Sequence, residues 1–360
     1  MKSVFNMEND PCAEPANLVH KNSHEILKLK QDATLLFNEQ NFLRALEKFQ
    51  AITSRDAADE YALLGVGACQ FELNENKSAK ISFLDVLKIN ENNIDALGNL
   101  AIIYFKNKEY TESIFYHNRS LKLQPGNEET NLNLALAYQE LGNLELALLH
   151  LENANNESNK FEISLQKGDL LAKFNQFSSA LAEFEIALAL NRDSTIPLVK
   201  IGNLYSNNEN YILAFEKFRR AQQISPTDPE GYFNLGACSY KCQSYLMAIH
   251  FYSEAIYLNS DFSEAIFHLG ICYDAIKQKR LAFECYKTAH QKDPLSLNIL
   301  FELASKYKIF NLLDESLHYY KRILQIDHEN IKATKEISML NSQIFALNSI
   351  SSFDLASEIL

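Results

Sequence analysis

The 360 residues carry 46 acidic against 34 basic side chains, a formal charge of −12, which excludes general nucleic-acid binding because that relies on basic surface to neutralise phosphates. An apolar fraction of 47% suffices for a continuous core, and no apolar run nears the roughly 18 residues that span a bilayer, so membrane insertion is not expected. The opening MKSVFNMENDPC places acidic and polar residues where a signal peptide carries its apolar stretch, which makes a cytoplasmic location the expectation.

Residues 1–22 have two prolines, few large apolar side chains and no periodicity, and read as a mobile arm. Ser23 has the character of an N-cap, followed by Ile26, Leu27, Leu29, Ala33 and Leu36 at helical spacing. From there a small residue recurs at steps of 34, with one step of 33: Ala45, Ala79, Ser113, Ala147, Ala180, Ala214, Ala248, Ala282 and Ser316. Nine units fit residues 26–330, the fourth being one residue short, with the shortening expected in the polar run 153–160.

Each unit reads as two amphipathic helices and a short turn. In the first helix a Gly or Ala (Ala33, Gly67, Ala101, Ala135, Gly168, Gly202, Gly236, Gly270, Ala304) lets the second helix come close, since bulk there would overpack the pair. In the second helix a ring follows the recurring small residue by four: Phe49, Phe83, Phe184, Phe218, Tyr252, Tyr286 and Tyr320. His117 and Leu151 depart from that row, which predicts looser packing around the third and fourth units. Pro125, Pro226 and Pro294 mark unit ends. After the last unit, Ala333, Ile337, Leu340 and Ile344 give a capping helix over 331–348, and 349–360 a short tail.

This register of residues, repeated nine times, resembles the tetratricopeptide-repeat family. The resemblance implies an all-α fold, a right-handed α-solenoid in which antiparallel helix pairs form a superhelix and the first helices line a concave groove. It implies a non-catalytic scaffold or adaptor that binds a peptide or protein segment in that groove. The alternative is a substrate-recruiting or structural subunit of a larger enzyme or multiprotein assembly.

Candidate groove residues follow from the register. Asn99, Asn133 and Asn234 stand two residues before the small packing residue, and an amide there can donate to and accept from a peptide backbone. The row resembles the asparagine ladder of the O-linked N-acetylglucosamine transferase repeats, interrupted here by Gln166, Lys200, His268 and Glu302. One residue earlier lie Leu165, Phe233, Phe267 and Phe301, and Tyr240 follows on the same helix as Phe233; such an apolar face would anchor a ligand unless neighbouring repeats cover it. Asp95, Glu129, Glu162, Glu230 and Glu264 open five first helices, where the helix dipole favours carboxylates, and would form an acidic rim for a basic partner. Chaperone-tail capture needs a Lys, Asn and Arg clamp, and the surface near the aromatics offers Glu230, Glu264 and Glu302 instead.

No catalytic constellation, cofactor or small-molecule substrate is expected. Gly65 and Gly67 lack the third glycine of a dinucleotide loop. His20 and His24, with Cys12 upstream, lack the further ligands of a zinc site. Cys69, Cys238 and Cys272 take the place of Leu, Ile or Ala in other units and act as small hydrophobes. Cys238 and Cys242 read as one buried and one surface thiol.

Overall fold

The computed structural model describes residues 21–156 and 158–357, with side chains from 25 to 346. The arm predicted over 1–22 lies almost wholly outside the described residues, as do Cys12, His20 and the side chain of His24. Among the described residues there are nineteen helices and no strand. The chain divides after Ala187 into two compact units.

Unit one contains α1 (Lys21–Asn38), α2 (Phe42–Thr53), α3 (Glu60–Glu72), α4 (Asn76–Ile89), α5 (Ile94–Lys106), α6 (Tyr110–Leu123), α7 (Glu128–Glu140), α8 (Leu144–Ala154), α9 (Lys160–Lys173) and most of α10 (Phe177–Leu190). Unit two contains α11 (Thr195–Asn207), α12 (Tyr211–Ile224), α13 (Pro229–Lys241), α14 (Tyr245–Leu258), α15 (Ser263–Ala275), α16 (Lys279–Lys292), α17 (Leu297–Ile309), α18 (Leu313–Ile326) and α19 (Ile331–Ser357). Within each unit helices pack in sequence order, as antiparallel pairs stacked pair on pair. This is the α-solenoid arrangement.

The recurring small residues explain the stacking. All nine, from Ala45 to Ser316, have no exposed surface. The ring four residues later lies on the glycine of its partner helix: a side-chain carbon at Gly67 would stand 2.6 Å from Phe83, and one at Gly236 2.9 Å from Tyr252. Neighbouring pairs are joined the same way, since a carbon at Gly65 would meet Phe49 of the preceding pair at 2.6 Å.

The turn inside each pair closes as a Schellman motif. After α5, Glu109 N–H donates to the Tyr104 carbonyl at 2.9 Å and Lys108 N–H to the Phe105 carbonyl at 2.9 Å. Lys108 is left-handed at φ 64°, and the same register position is left-handed at Gln40, Asn74, Gly142, Asn175, Glu209, Gln243, Lys277 and Asn311. Only Gly142 has the residue that adopts this region without cost. Several first helices begin on side-chain caps: Asp59 accepts from Ala62 N–H at 2.9 Å, Asn93 from Ala96 N–H at 2.7 Å and Asn127 from Thr130 N–H at 2.8 Å.

Three local expectations are corrected. Ser23 lies inside α1 rather than capping it, because the helix already begins at Lys21. The shortening falls within 153–160 as expected, but at the end of α8 rather than in the turn between repeats: α8 stops at Ala154 after 11 residues where α4 and α6 run 14. Finally, α19 does not stop at 348 but continues to Ser357. Its Ala333 and Leu340 are buried, with Ile337 beside them, against Tyr320 and Ile323 of α18.

Candidate ligand-binding face

In unit one the residues singled out from the sequence are largely consumed by packing. Asn99 is buried and its amide donates to the Asp95 carbonyl at 2.9 Å; Asn133 is buried too, as is Leu165. The reason lies in the register. The position these asparagines occupy is the one where Gly65 meets the ring of the preceding pair, so the row faces a neighbouring helix rather than solvent. An asparagine ladder open to a peptide is therefore absent at Asn99 and Asn133, and Leu165 is no surface anchor. Of the acidic row in this unit, Glu129 and Glu162 are exposed, and Asp95 is half-buried.

In unit two three of these register positions carry phenylalanine, and the aromatic side chains stay partly open. Phe233, Tyr240, Phe267 and Phe301 are all half-buried, as is Asn234. Phe233 packs against Tyr252 at a centroid distance of 5.5 Å, Phe262 at 5.2 Å and His268 at 5.5 Å. Phe267 meets the same His268 at 5.5 Å and Tyr286 at 5.7 Å. Tyr240 belongs with Phe233 to the cluster around Tyr252, and Phe301 packs 6.1 Å from Tyr320 under Lys332. His268, at the asparagine-row position, stacks on Tyr252 at 5.7 Å and bridges Phe233 to Phe267; burial lowers its pKa, opposed by the Glu264 charge.

The acidic pair of this unit, Glu230 and Glu264, is exposed. Burial of part of its carboxyl raises the Glu230 pKa, and the charges of Asp228 and Glu264 raise it further. A cation placed beside this pair would relieve that repulsion.

A charged cluster stands beside the aromatics. Asp274 accepts from the Tyr286 hydroxyl at 2.7 Å and pairs with buried Lys306 at 2.6 Å. Burial raises the Glu302 pKa, with Lys306 opposing and Asp274 adding to the shift. The sequence signal for this cluster is Asp274 itself, an acid in the row where other units carry Phe37, Phe71, Phe105 and Tyr240.

Among the described residues no three His, Cys, Asp or Glu side chains converge as a metal site. Burial pushes the thiols of Cys69, Cys238 and Cys272 up to about 12, which keeps them protonated, while Cys242 is exposed.

Family models for the tetratricopeptide repeat match residues 94–127, 165–229 and 264–296. These segments are tetratricopeptide repeats. The repeats of this chain are 23% identical over 209 residues to the bovine "BBSome complex member BBS4", covering 58% of this chain and 40% of that protein. They are 24% identical over 238 residues to the human "Protein O-mannosyl-transferase TMTC3", covering 55% of this chain and 26% of the relative. The chain thus spans less than half the length of these curated relatives. A solved structure, the C-terminal part of a tetratricopeptide-repeat protein from Cytophaga hutchinsonii, matches at 22% identity with a TM-score of 0.52, covering 66% of this chain and 98% of that one. At this identity the likeness shows the fold alone, an all-α solenoid. No helix among the described residues is long and apolar enough to cross a membrane.

Proposed function

We propose that this tetratricopeptide-repeat protein is a non-catalytic interaction scaffold that seats a peptide or protein segment on the first helices of unit two. The observation that carries this reading is the set of half-buried aromatics, Phe233, Tyr240, Phe267 and Phe301, delivered by α13, α15 and α17 beside Glu230 and Glu264. Each ring is fixed by packing on one side, so an apolar ligand side chain that covers the other side orders little further and gains apolar burial at about 25 cal/mol per Å2. The acidic pair favours a ligand carrying Lys or Arg next to its apolar anchors. Asn234, half-buried beside Phe233, is the member of the asparagine row suited to hold the ligand backbone. The charge of −12 argues for a protein ligand over nucleic acid, within an intracellular, cytoplasmic setting.

A second reading, a subunit of a larger assembly, is favoured by the likeness to a BBSome complex member. One experiment separates the two. Affinity capture from native extract is compared between the wild-type chain and Phe233→Glu/Phe267→Glu, with circular dichroism matching their helicity. Loss of bound proteins in the folded double variant supports the aromatic face; an undiminished set refutes it and moves binding to other surfaces of the repeats.

A further inference from the structure

The second helices of unit one carry an apolar stripe that packing does not use. Ile81 on α4, Phe115 on α6 and Leu149 on α8 hold the same register position in three successive repeats, and they are 62%, 56% and 51% exposed. The equivalent positions elsewhere are Glu47, Ala182, Glu216, His250, Glu284 and His318, so the stripe is confined to these repeats. Beside Ile81 opens a cleft of about 450 Å3 between α4 and α6, lined by Ile81, Leu84, Leu87, Tyr116 and Arg119. Aligned large apolar side chains next to an open cleft are the usual mark of an interaction surface.

The charge around the stripe names the occupant. Lys77 and Lys88 stand four before and seven after Ile81, and Arg119 and Lys122 four and seven after Phe115, which puts all four on the same helix faces as the apolar residues. With Lys80, which lies over the Tyr104 ring, α4 and α6 carry five cations against two carboxylates, Asp85 and Glu112, in a chain whose net charge is −12; α8 carries Glu145 and Glu152 and no Lys or Arg, so the basic face belongs to α4 and α6. Asp85 pairs with Lys88 at 2.7 Å, while Arg119 spends one N–H on the Glu91 carbonyl at 2.8 Å and lies over the Phe115 ring.

We infer that the outer face of α4 and α6, with Leu149 of α8 at its edge, is a docking surface for an amphipathic helix of a protein partner whose apolar side is flanked by carboxylates. It is separate from the aromatic face of unit two and supplied by the other class of helix. The ligand's carboxylates face Lys77, Lys88, Arg119 and Lys122, and its apolar side chains cover Ile81 and Phe115.

The test uses the full chain and a fluorescein-labelled helical peptide of about sixteen residues, with Leu along one face and Glu on its flanks, beside an analogue carrying Lys for every Glu. Fluorescence anisotropy is expected to show the Glu peptide binding at least tenfold tighter than the Lys analogue, and more weakly as salt is raised. Phe115→Glu, at a side chain the fold leaves exposed, is expected to cost at least tenfold with helicity intact, while Phe233→Glu/Phe267→Glu leaves this binding unchanged. Equal binding of the two peptides, or undiminished binding to Phe115→Glu, overturns the proposal. So does a monomer–dimer equilibrium in sedimentation velocity that Phe115→Glu abolishes, which assigns the face to a second copy. A tenfold gain in affinity on removing residues 1–20 overturns it as well, by assigning the face to the chain's own N-terminal segment.

Discussion

Gly236 tests the packing rule on which the fold rests. A side-chain carbon there would stand 2.9 Å from two ring atoms of Tyr252 and 3.1 Å from a third. Tyr252 cannot swing aside, because it is buried and its ring is held by Phe233 and His268. Two effects oppose one another. Replacing glycine in a helix interior gains about 0.8–1 kcal/mol of propensity, while overpacking costs about 1–3 kcal/mol, more when the added group is branched. Gly236→Ala should therefore be destabilising by about 0–2 kcal/mol, and Gly236→Leu by about 2 kcal/mol or more, since three further carbons must be placed against a ring with no room. For a unit of this size each kcal/mol moves the melting temperature by about 2–4 °C, so Gly236→Leu should lower it by about 4–8 °C. Differential scanning calorimetry beside Gln223→Leu, an exposed site on α12, isolates the packing effect from added apolar surface. A Gly236→Leu protein that melts with the wild type would refute the helix register and the reason given for the repeat.

The left-handed turn position gives a prediction of opposite sign. Lys108→Gly and Lys277→Gly should each stabilise by about 0.5–1 kcal/mol, because glycine occupies this region without the cost a side chain meets there, partly offset by greater freedom in the unfolded chain; a lower urea midpoint in either variant would contradict this. His117 gives a pH dependence. It is buried with neither ring nitrogen hydrogen-bonded, and burial lowers its pKa from 6.5 to about 4. The folded value lies below the unfolded one, so the neutral imidazole is favoured by folding: this contribution is whole above pH 6.5 and is lost as pH falls toward 4, on the order of 2 kcal/mol at pH 5. His117→Phe, restoring the ring of the other repeats, should reduce the loss of urea midpoint between pH 7 and pH 5. Burial also lowers the pKa of His150, His268 and His290, so some dependence stays in the variant; an unchanged dependence would show that His117 is not the group titrating.

The architecture was legible wherever packing admits only one size of side chain. The row from Ala45 to Ser316 and its partner glycines announced the helix pairs, because any larger residue would collide with a ring. The turn position was not legible: the backbone conformation is the same in all nine turns, yet Gln, Asn, Lys and Glu occupy it as well as Gly, and each Schellman motif is closed by main-chain bonds that leave no side-chain signature. The candidate site fell between these cases. Periodicity placed Asn99 and Asn234 at one position of their repeats, but exposure depends on what the neighbouring pair lays across it, and Asn99 is buried where Asn234 is half-buried. The aromatics of unit two were legible as a concentration of rings, but their partial exposure was not, since Phe71, at the register position of Tyr240, is buried.

The departures from the repeat share one physical consequence. The interior around α6, α7 and α8 holds Ser113, His117, Ser120, Asn131, Asn133 and His150, all buried; at the positions of His117, Ser120 and Asn131 most other repeats carry a ring or an apolar chain. Some of these polar groups are satisfied, as where His150 Nδ1 and Asn131 Oδ1 lie 2.9 Å apart, while Ser113 Oγ and both nitrogens of His117 are not. Every unmet group costs about 1–3 kcal/mol, and each ring exchanged for a smaller polar side chain forfeits apolar burial. In a solenoid, stability is close to a sum of repeat and nearest-neighbour terms, so such a deficit is not spread along the chain. It stays with the third and fourth repeats, where α8 also ends early, and makes them the place where local opening costs least. Two of the three helices that carry the outer apolar stripe, α6 and α8, belong to these repeats, so a helix docked over Phe115 of α6 would add apolar cover where their own core is polar.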